Sequence, residues 1–96
     1  MTMIDLGHLD AFAAVARHRS FRRAAAARGV SASTLSQVVK TLESRLGVRL
    51  LNRTTRSVAP TAAGAKLLER LVPSLADIAT AVDEVREEAG DPAGTV

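Results

Sequence analysis

Apolar residues recur near the start of the chain at the spacing of one buried helical face. Asp5 stands just before them, and its short side chain suits it to cap the free backbone N–H groups of a first turn. The residues at i, i+3, i+4 and i+7 are Leu9, Phe12, Ala13 and Ala16. This period predicts an amphipathic helix from about Asp5 to His18.

Two further helices are predicted on either side of a glycine. Ser20 is a candidate N-cap for a short alanine-rich helix over about 21–28, and Gly29 stands where a left-handed residue ends a helix. Ser31 or Ser33 then caps a third helix that runs to about Leu46. A short glycine turn between two helices is typical of helix-turn-helix, although many helical corners share it.

The pattern changes after the third helix. Two short β-prone pieces flank the polar turn NRTTRS, which predicts a small hairpin, or wing, over about 48–60. Pro60 lacks a backbone N–H, so it marks the end of an edge strand. Thr61 is a candidate N-cap for a fourth helix from about 62 to 89.

The fourth helix carries apolar residues spaced alternately by three and four positions. This is an a/d repeat over three heptads, typical of a two-helix coiled coil. We therefore predict a dimer interface made of Leu68, Leu71, Leu75, Ile78, Val82 and Val85. The alternative is a helix that packs against the preceding helices and wing of the same chain, which we call its head. Pro73 is expected to bend this helix, and 90–96 to form a disordered hinge or terminus.

The third helix has an unusual polar face. On a helical wheel its apolar residues, which are Leu35, Val38, Val39, Leu42 and Leu46, share one sector. The opposite sector holds hydroxyls, an amide and one ammonium, from Ser33, Gln37, Lys40 and Ser44. A glutamine can bond adenine in the major groove, and serine or threonine can donate or accept there. The other interpretation is a surface helix that happens to be rich in serine and threonine.

Charge is distributed unevenly along the chain. Residues 17–56 contain ten basic side chains and one acid, whereas residues 77–91 contain six acids and one arginine. A basic head beside an acidic tail indicates that the head meets a polyanion, or else that it is simply a solvated basic surface. Arg53 and Arg56 bracket the wing turn, where they can reach a DNA backbone or minor groove. Arg22 and Arg23 can clamp phosphates, unless one of them pairs with Asp10 or Glu43.

Composition excludes several classes of protein. The chain has no cysteine, two histidines, no glycine-rich phosphate loop and no metal-spaced cluster, so we expect no cofactor, no metal and no catalytic residues. The longest apolar run, 11–16, is too short for a membrane span, and the N-terminus does not resemble a signal peptide. These features predict a cytoplasmic protein.

Residues 20–64, SFRRAAAARGVSASTLSQVVKTLESRLGVRLLNRTTRSVAPTAAG, carry a recognisable combination of motifs. Together with Leu9, Phe12, Val15 and Ala16 they resemble the N-terminal winged helix-turn-helix of LysR-type transcriptional regulators. The matching elements are Ser20-Phe21, Ala24-Ala25, Val30-Ser31, Leu35-Ser36, Leu42-Glu43, Leu46-Gly47, Leu50-Leu51, Arg53, Arg56, Thr61 and Gly64. The likeness covers about residues 5–89.

The resemblance implies a regulator that binds double-stranded DNA at an interrupted palindrome. It implies a homodimer through the long helix, with tetramers as an option in the full-length regulator. By position, the base and phosphate contacts fall on Ala32, Ser33, Thr34, Ser36 and Gln37, with Lys40, Arg53 and Arg56 in support. Arg22, Arg23 and Ser31 complete the predicted DNA-binding set.

The sequence also departs from the family pattern. Ala32 stands where many relatives carry Gln, which implies that one base contact is lost or reduced to a methyl contact. Gln37 and Thr41 stand where relatives often have Arg, which implies weaker phosphate binding and a different base preference. The family's C-terminal effector-binding domain has no counterpart here. The resemblance therefore implies either a truncated chain or a naturally isolated DNA-binding domain, without a part that senses a metabolite.

The predicted fold class is mainly α: a winged helix-turn-helix over 5–61 (three helices and a hairpin wing), then a dimerising linker helix over 62–89. The predicted function is sequence-specific DNA binding, in which Gln37→Ala changes base preference and Arg53→Ala weakens binding almost equally on all sequences. The competing hypothesis is a protein-interaction module whose basic face docks an acidic partner. An enzyme is disfavoured.

Overall fold

Helices dominate the architecture, with one small hairpin between the third and the fourth. The computed structural model describes residues 4–54 and 57–90. The helices are α1 (Leu6–His18), α2 (Phe21–Arg28), α3 (Ala32–Leu46) and α4 (Ala62–Glu88). The strands are β1 (Leu51–Arg53) and β2 (Val58–Pro60). The predicted mainly α fold, with three helices, a hairpin wing and a long fourth helix, is confirmed.

Short polar side chains set the start of each helix. The carboxylate of Asp5 accepts the backbone N–H of Gly7 at 2.7 Å, and the hydroxyl of Ser20 accepts that of Arg23 at 3.1 Å. Ser31, rather than Ser33, caps α3 and accepts the N–H of Thr34 at 3.1 Å. Each cap satisfies a donor that has no intrahelical partner, so the predicted helix starts are confirmed.

The core lies where α1, α2 and α3 cross. Its largest fully buried side chains are Phe12, Val15, Leu35, Val39, Leu42, Leu50 and Leu51. Burying each stabilises the fold by about 1.5–3 kcal/mol. Leu46 shares the apolar sector of α3 but is 39% exposed. It is the last residue of α3, and the chain turns away at Gly47 before another element covers it.

The wing is an antiparallel pair in which Leu51 faces Pro60 and Arg53 faces Val58. Glu43 of α3 holds its base, since one carboxylate oxygen accepts the N–H groups of Leu50 at 2.7 Å and Leu51 at 3.2 Å. Pro60 is the last residue of β2, as predicted. Residues 55 and 56 lie outside the described part of the chain, and so does the prediction made for Arg56.

The start of α4 is fastened to the base of the wing. The Thr61 hydroxyl donates to the carbonyl of Arg49 at 2.7 Å and accepts the N–H of Gly64 at 3.0 Å. Gly64 is buried, and a Cβ added there would overlap the carbonyl oxygen of Leu50. Only glycine permits this close approach of two backbones.

The linker helix α4 has two different halves. Leu71 is 7% exposed and belongs to the head's own core, with Leu68 and Leu75 packed partly against it. Ile78, Val82 and Val85 are 43%, 45% and 67% exposed. The expectation that all six apolar residues form one interface therefore needs correction at Leu71, because the head already covers it.

Pro73 lies inside α4, which continues through it as helix. The bend expected at this residue stays a prediction. Gly90 follows the helix in a left-handed conformation, φ 82°. The remainder of the predicted hinge, 91–96, lies outside the described residues.

Candidate nucleic-acid interface

The outward face of α3 is exposed and polar. Ala32, Ser33, Thr34, Gln37 and Lys40 are exposed along it. Ser36 is half-buried on one flank of the same face. Leu35, Val39 and Leu42 anchor the opposite side in the core. The two faces of α3 therefore lie as the sequence predicts.

The first turn of α3 is built by hydroxyl groups. Ser31 accepts the backbone N–H of Thr34 and donates its own proton to the Thr34 hydroxyl at 2.8 Å. Arg45, in the last turn, is the basic residue that complements the C-terminal end of the helix dipole. No acidic residue lies in the first turn, so the positive end of the dipole faces outward beside these hydroxyls.

The two arginines at the start of α2 are exposed. The two acids with which either arginine could pair, Asp10 and Glu43, have other partners. Asp10 bonds to Arg28 at 2.9 Å, and the Glu43 carboxylate accepts the two backbone N–H groups of the wing. Arg22 and Arg23 therefore stand at the surface, as the clamp hypothesis requires.

Arg53 occupies a different environment from the one expected. It is half-buried at the end of β1, and its Nη1 donates to the Ser36 hydroxyl at 2.7 Å. Its guanidinium carbon lies 4.3 Å from the centre of the Phe21 ring, within the range of a cation–π interaction. The side chain therefore ties the wing to α2 and α3. This contact could not be foreseen from residue spacing.

A polar cleft of about 440 Å³ separates α3 from the wing. Lys40, Glu43, Arg49 and Arg53 line it. Three of these side chains are cationic and one is anionic, so the cleft carries a net positive charge. Arg49 was missing from the predicted set. The regional excess of basic residues includes it, but only the folding of the wing onto α3 places it beside Lys40.

The described residues contain no group of three or more histidine, cysteine or acidic side chains arranged to hold a metal ion. Within residues 4–54 and 57–90, no helix is both long and apolar enough to cross a bilayer.

The arrangement defines a class of protein: a helix-turn-helix domain with a β-hairpin wing and a long C-terminal helix. The family model described as "Bacterial regulatory helix-turn-helix protein, lysR family" matches residues 6–65. The chain belongs to this family. The predicted resemblance to LysR-type regulators is thereby confirmed, and so is the prediction of a regulatory protein rather than an enzyme.

Curated relatives share almost the whole length of this chain. It is 49% identical over 92 residues to the HTH-type transcriptional regulator PgrR of Escherichia coli K12, covering 96% of this chain and 31% of PgrR. It is 43% identical over 91 residues to the regulator PtxR of Pseudomonas aeruginosa, covering 95% of this chain and 29% of PtxR. The chain thus spans about a third of the length of these relatives.

Solved structures have the same architecture. The BenM DNA-binding domain in its catB site 1 DNA complex matches with a TM-score of 0.83 and 30% identity, covering 90% of this chain and 96% of that one. The CbnR domain–DNA complex matches at 0.78 and 32%, covering 90% and 99%. Oxidised OxyR of Corynebacterium glutamicum matches at 0.85 and 32%, covering 93% of this chain and 27% of OxyR.

Proposed function

We propose that this domain binds double-stranded DNA sequence-specifically as a homodimer, at an interrupted palindrome, and so regulates transcription. The observation that carries the proposal is the outward face of α3. It is exposed, free of acidic side chains from Ala32 to Leu42, and rich in groups that hydrogen-bond to base edges. The similar BenM and CbnR domains were solved in complex with DNA.

In this proposal the residues of the predicted set have different roles. Ala32, Ser33, Thr34 and Gln37 lie nearest the bases, and Gln37 is the side chain that can bond adenine in a bidentate way. Lys40, Arg22 and Arg23 contact phosphates. Ser31 organises the first turn, while Ser36 and Arg53 lie at the junction with the wing. For Arg56 we keep the proposal of a contact to the DNA backbone or minor groove.

The exposed half of α4 supports the proposed dimer. Ile78, Val82 and Val85 follow the a/d spacing and are exposed. A second α4 lying along them would remove this stripe from water, which favours association. A two-fold dimer then presents two copies of α3, in keeping with a palindromic site.

The experiment that tests the proposal is selection of duplexes from a random library by the 96-residue chain, followed by measurement of half-site spacing. We expect an enriched sequence with two half-sites about one helical turn apart or a multiple of it, ~34 Å. If the chain binds DNA but enriches no sequence, the proposal that it recognises specific bases is contradicted. Failure to bind random duplex even at low salt would favour the protein-interaction hypothesis instead.

A further inference from the structure

Three side chains from three different elements meet at the junction of the wing and α3. Phe21 opens α2, Ser36 lies in the second turn of α3, and Arg53 ends β1. Phe21 is half-buried and packs against the core. Its ring lies 4.3 Å from the Arg53 guanidinium carbon, and that guanidinium donates to Ser36 at 2.7 Å. We call these three residues the wing junction.

The hydrogen bond within the wing junction influences whether the Ser36 hydroxyl donates or accepts its further hydrogen bonds. A hydroxyl oxygen has one proton to donate and two lone pairs, and Arg53 occupies one of those lone pairs. The proton therefore points away from the arginine. A cation 2.7 Å from the oxygen also disfavours a second incoming donor and favours a negatively polarised acceptor. Ser36 is thus biased to donate, as it would to guanine O6 or N7, thymine O4 or adenine N7.

Phe21 fixes the arginine in the position that this bias requires. A planar guanidinium stacks on an aromatic ring, whereas an ammonium has neither the plane nor the fork of donors. The ring is held from behind by the core, so it is a rigid support. Without the ring, Arg53 would gain rotamers in which it no longer reaches Ser36.

The geometry points to Phe21 as a positioning residue for DNA specificity: through Arg53 it sets Ser36 as a donor toward one base position, without itself contacting DNA. This inference rests on the proposed DNA-binding function and deepens it. It also changes the expectation for Arg53. A residue that only attracts phosphate would affect all sequences equally, whereas the wing junction acts selectively at the base that Ser36 faces.

The test compares base preference, position by position, for the wild-type chain and six variants. Ser36→Ala identifies the base position that Ser36 reads, because preference relaxes there. Phe21→Leu removes the aromatic support, and Arg53→Lys keeps the charge while removing the stack and the fork. Arg45→Lys is the matched control, because Arg45 is exposed in the last turn of α3 and is not part of the proposed DNA-binding set. Thermal unfolding of each variant verifies that it is folded.

We expect Phe21→Leu and Arg53→Lys to relax preference at the Ser36 position by about two- to fivefold, the range of a partly exposed cation–π contact. The double variant with Phe21→Leu and Arg53→Lys should relax this preference little more than either single change, because both substitutions disrupt the same wing junction. Phe21→Tyr should retain the preference, since the ring remains. Arg53→Lys should leave the salt dependence of binding unchanged, because the number of cations is the same.

Two outcomes would overturn the inference while leaving DNA binding intact. One is that Ser36→Ala relaxes no position. The other is that Phe21→Leu and Arg53→Lys weaken binding equally on all duplexes. If Phe21→Leu does not fold, Arg53→Lys decides the question alone. A wild-type chain that selects no sequence at all would instead refute the proposed function.

Discussion

The carboxylate of Glu43 lies 2.7 Å from the backbone nitrogen of Leu50 and accepts its hydrogen bond. The same oxygen accepts the N–H of Leu51 at 3.2 Å, so one side chain of α3 satisfies two donors where the wing begins. Charge-assisted bonds of this kind are stronger than neutral ones. The single acid of the basic head is therefore a structural brace for the wing.

Removing this brace should destabilise the fold. We expect Glu43→Ala to lower the free energy of unfolding by about 1–3 kcal/mol, because two partly buried N–H groups lose their acceptor. Glu43→Gln should cost less, since its amide oxygen can still accept. Urea denaturation measures both. Ser44→Ala, at the exposed neighbouring position, should stay within about 0.5 kcal/mol. Equal stability of the Glu43→Ala variant and the wild type would contradict the role.

Gly64 should tolerate no side chain. Gly64→Ala forces a methyl group into the carbonyl of Leu50, and we expect a loss of about 1–3 kcal/mol or more. This loss should exceed the gain of about 1 kcal/mol in helix propensity. Gly7→Ala is the control. The atom nearest its added Cβ belongs to the flexible Asp5 side chain, at 3.1 Å. Thermal unfolding should show a large drop in Tm for Gly64→Ala alone.

Arg19 ends α1 in a left-handed conformation, φ 55°, which costs a residue with a Cβ about 1–2 kcal/mol. We expect Arg19→Gly to raise stability by roughly 0.5–1 kcal/mol after the entropy cost of glycine. Arg19→Ala removes the same side chain but keeps the strain, so it should not stabilise. Denaturation of the two variants in parallel separates the backbone effect from the charge. A stabilised Ala variant would assign the effect to the side chain.

The proposed dimer predicts a sharp difference between two faces of α4. Val82→Asp would place a charge in the apolar stripe, and we expect the dissociation constant of the dimer to rise at least about tenfold. Thr80→Asp adds the same charge at an exposed position off the a/d stripe and should leave association nearly unchanged. Sedimentation equilibrium at micromolar concentration measures both. A wild-type chain that stays monomeric there would refute the dimer.

The polar face of α3 predicts two kinds of DNA-binding defect. Gln37→Ala should alter base preference at one position, with a loss of about 1–3 kcal/mol on the preferred sequence. Lys40→Ala should weaken binding on all sequences and reduce the salt slope by ~0.9, the value of one lost phosphate contact. Anisotropy titrations at several salt concentrations distinguish them. Identical base profiles and slopes for both variants would refute the assigned roles.

Local chemistry made much of this fold readable from the sequence. Ser20, Ser31 and Thr61 cap helices within three residues of the groups they bond, and Gly29 and Gly47 end helices in the left-handed region. Such interactions depend only on neighbours along the chain, so spacing predicts them. The same holds for the two faces of α3, because helical periodicity alone separates them.

Contacts between distant residues required the tertiary structure. A heptad spacing cannot distinguish a leucine that packs within its own chain from one that is left to pack against a second copy. Leu71 packs within its own chain. Nor can spacing show that Arg53 stacks on Phe21 and donates a hydrogen bond to Ser36, which are 32 and 17 positions away. The sequence by itself determined which segments are helical and which face of α3 is polar. Only the packing of α2, α3 and the wing decided which of the polar side chains act together.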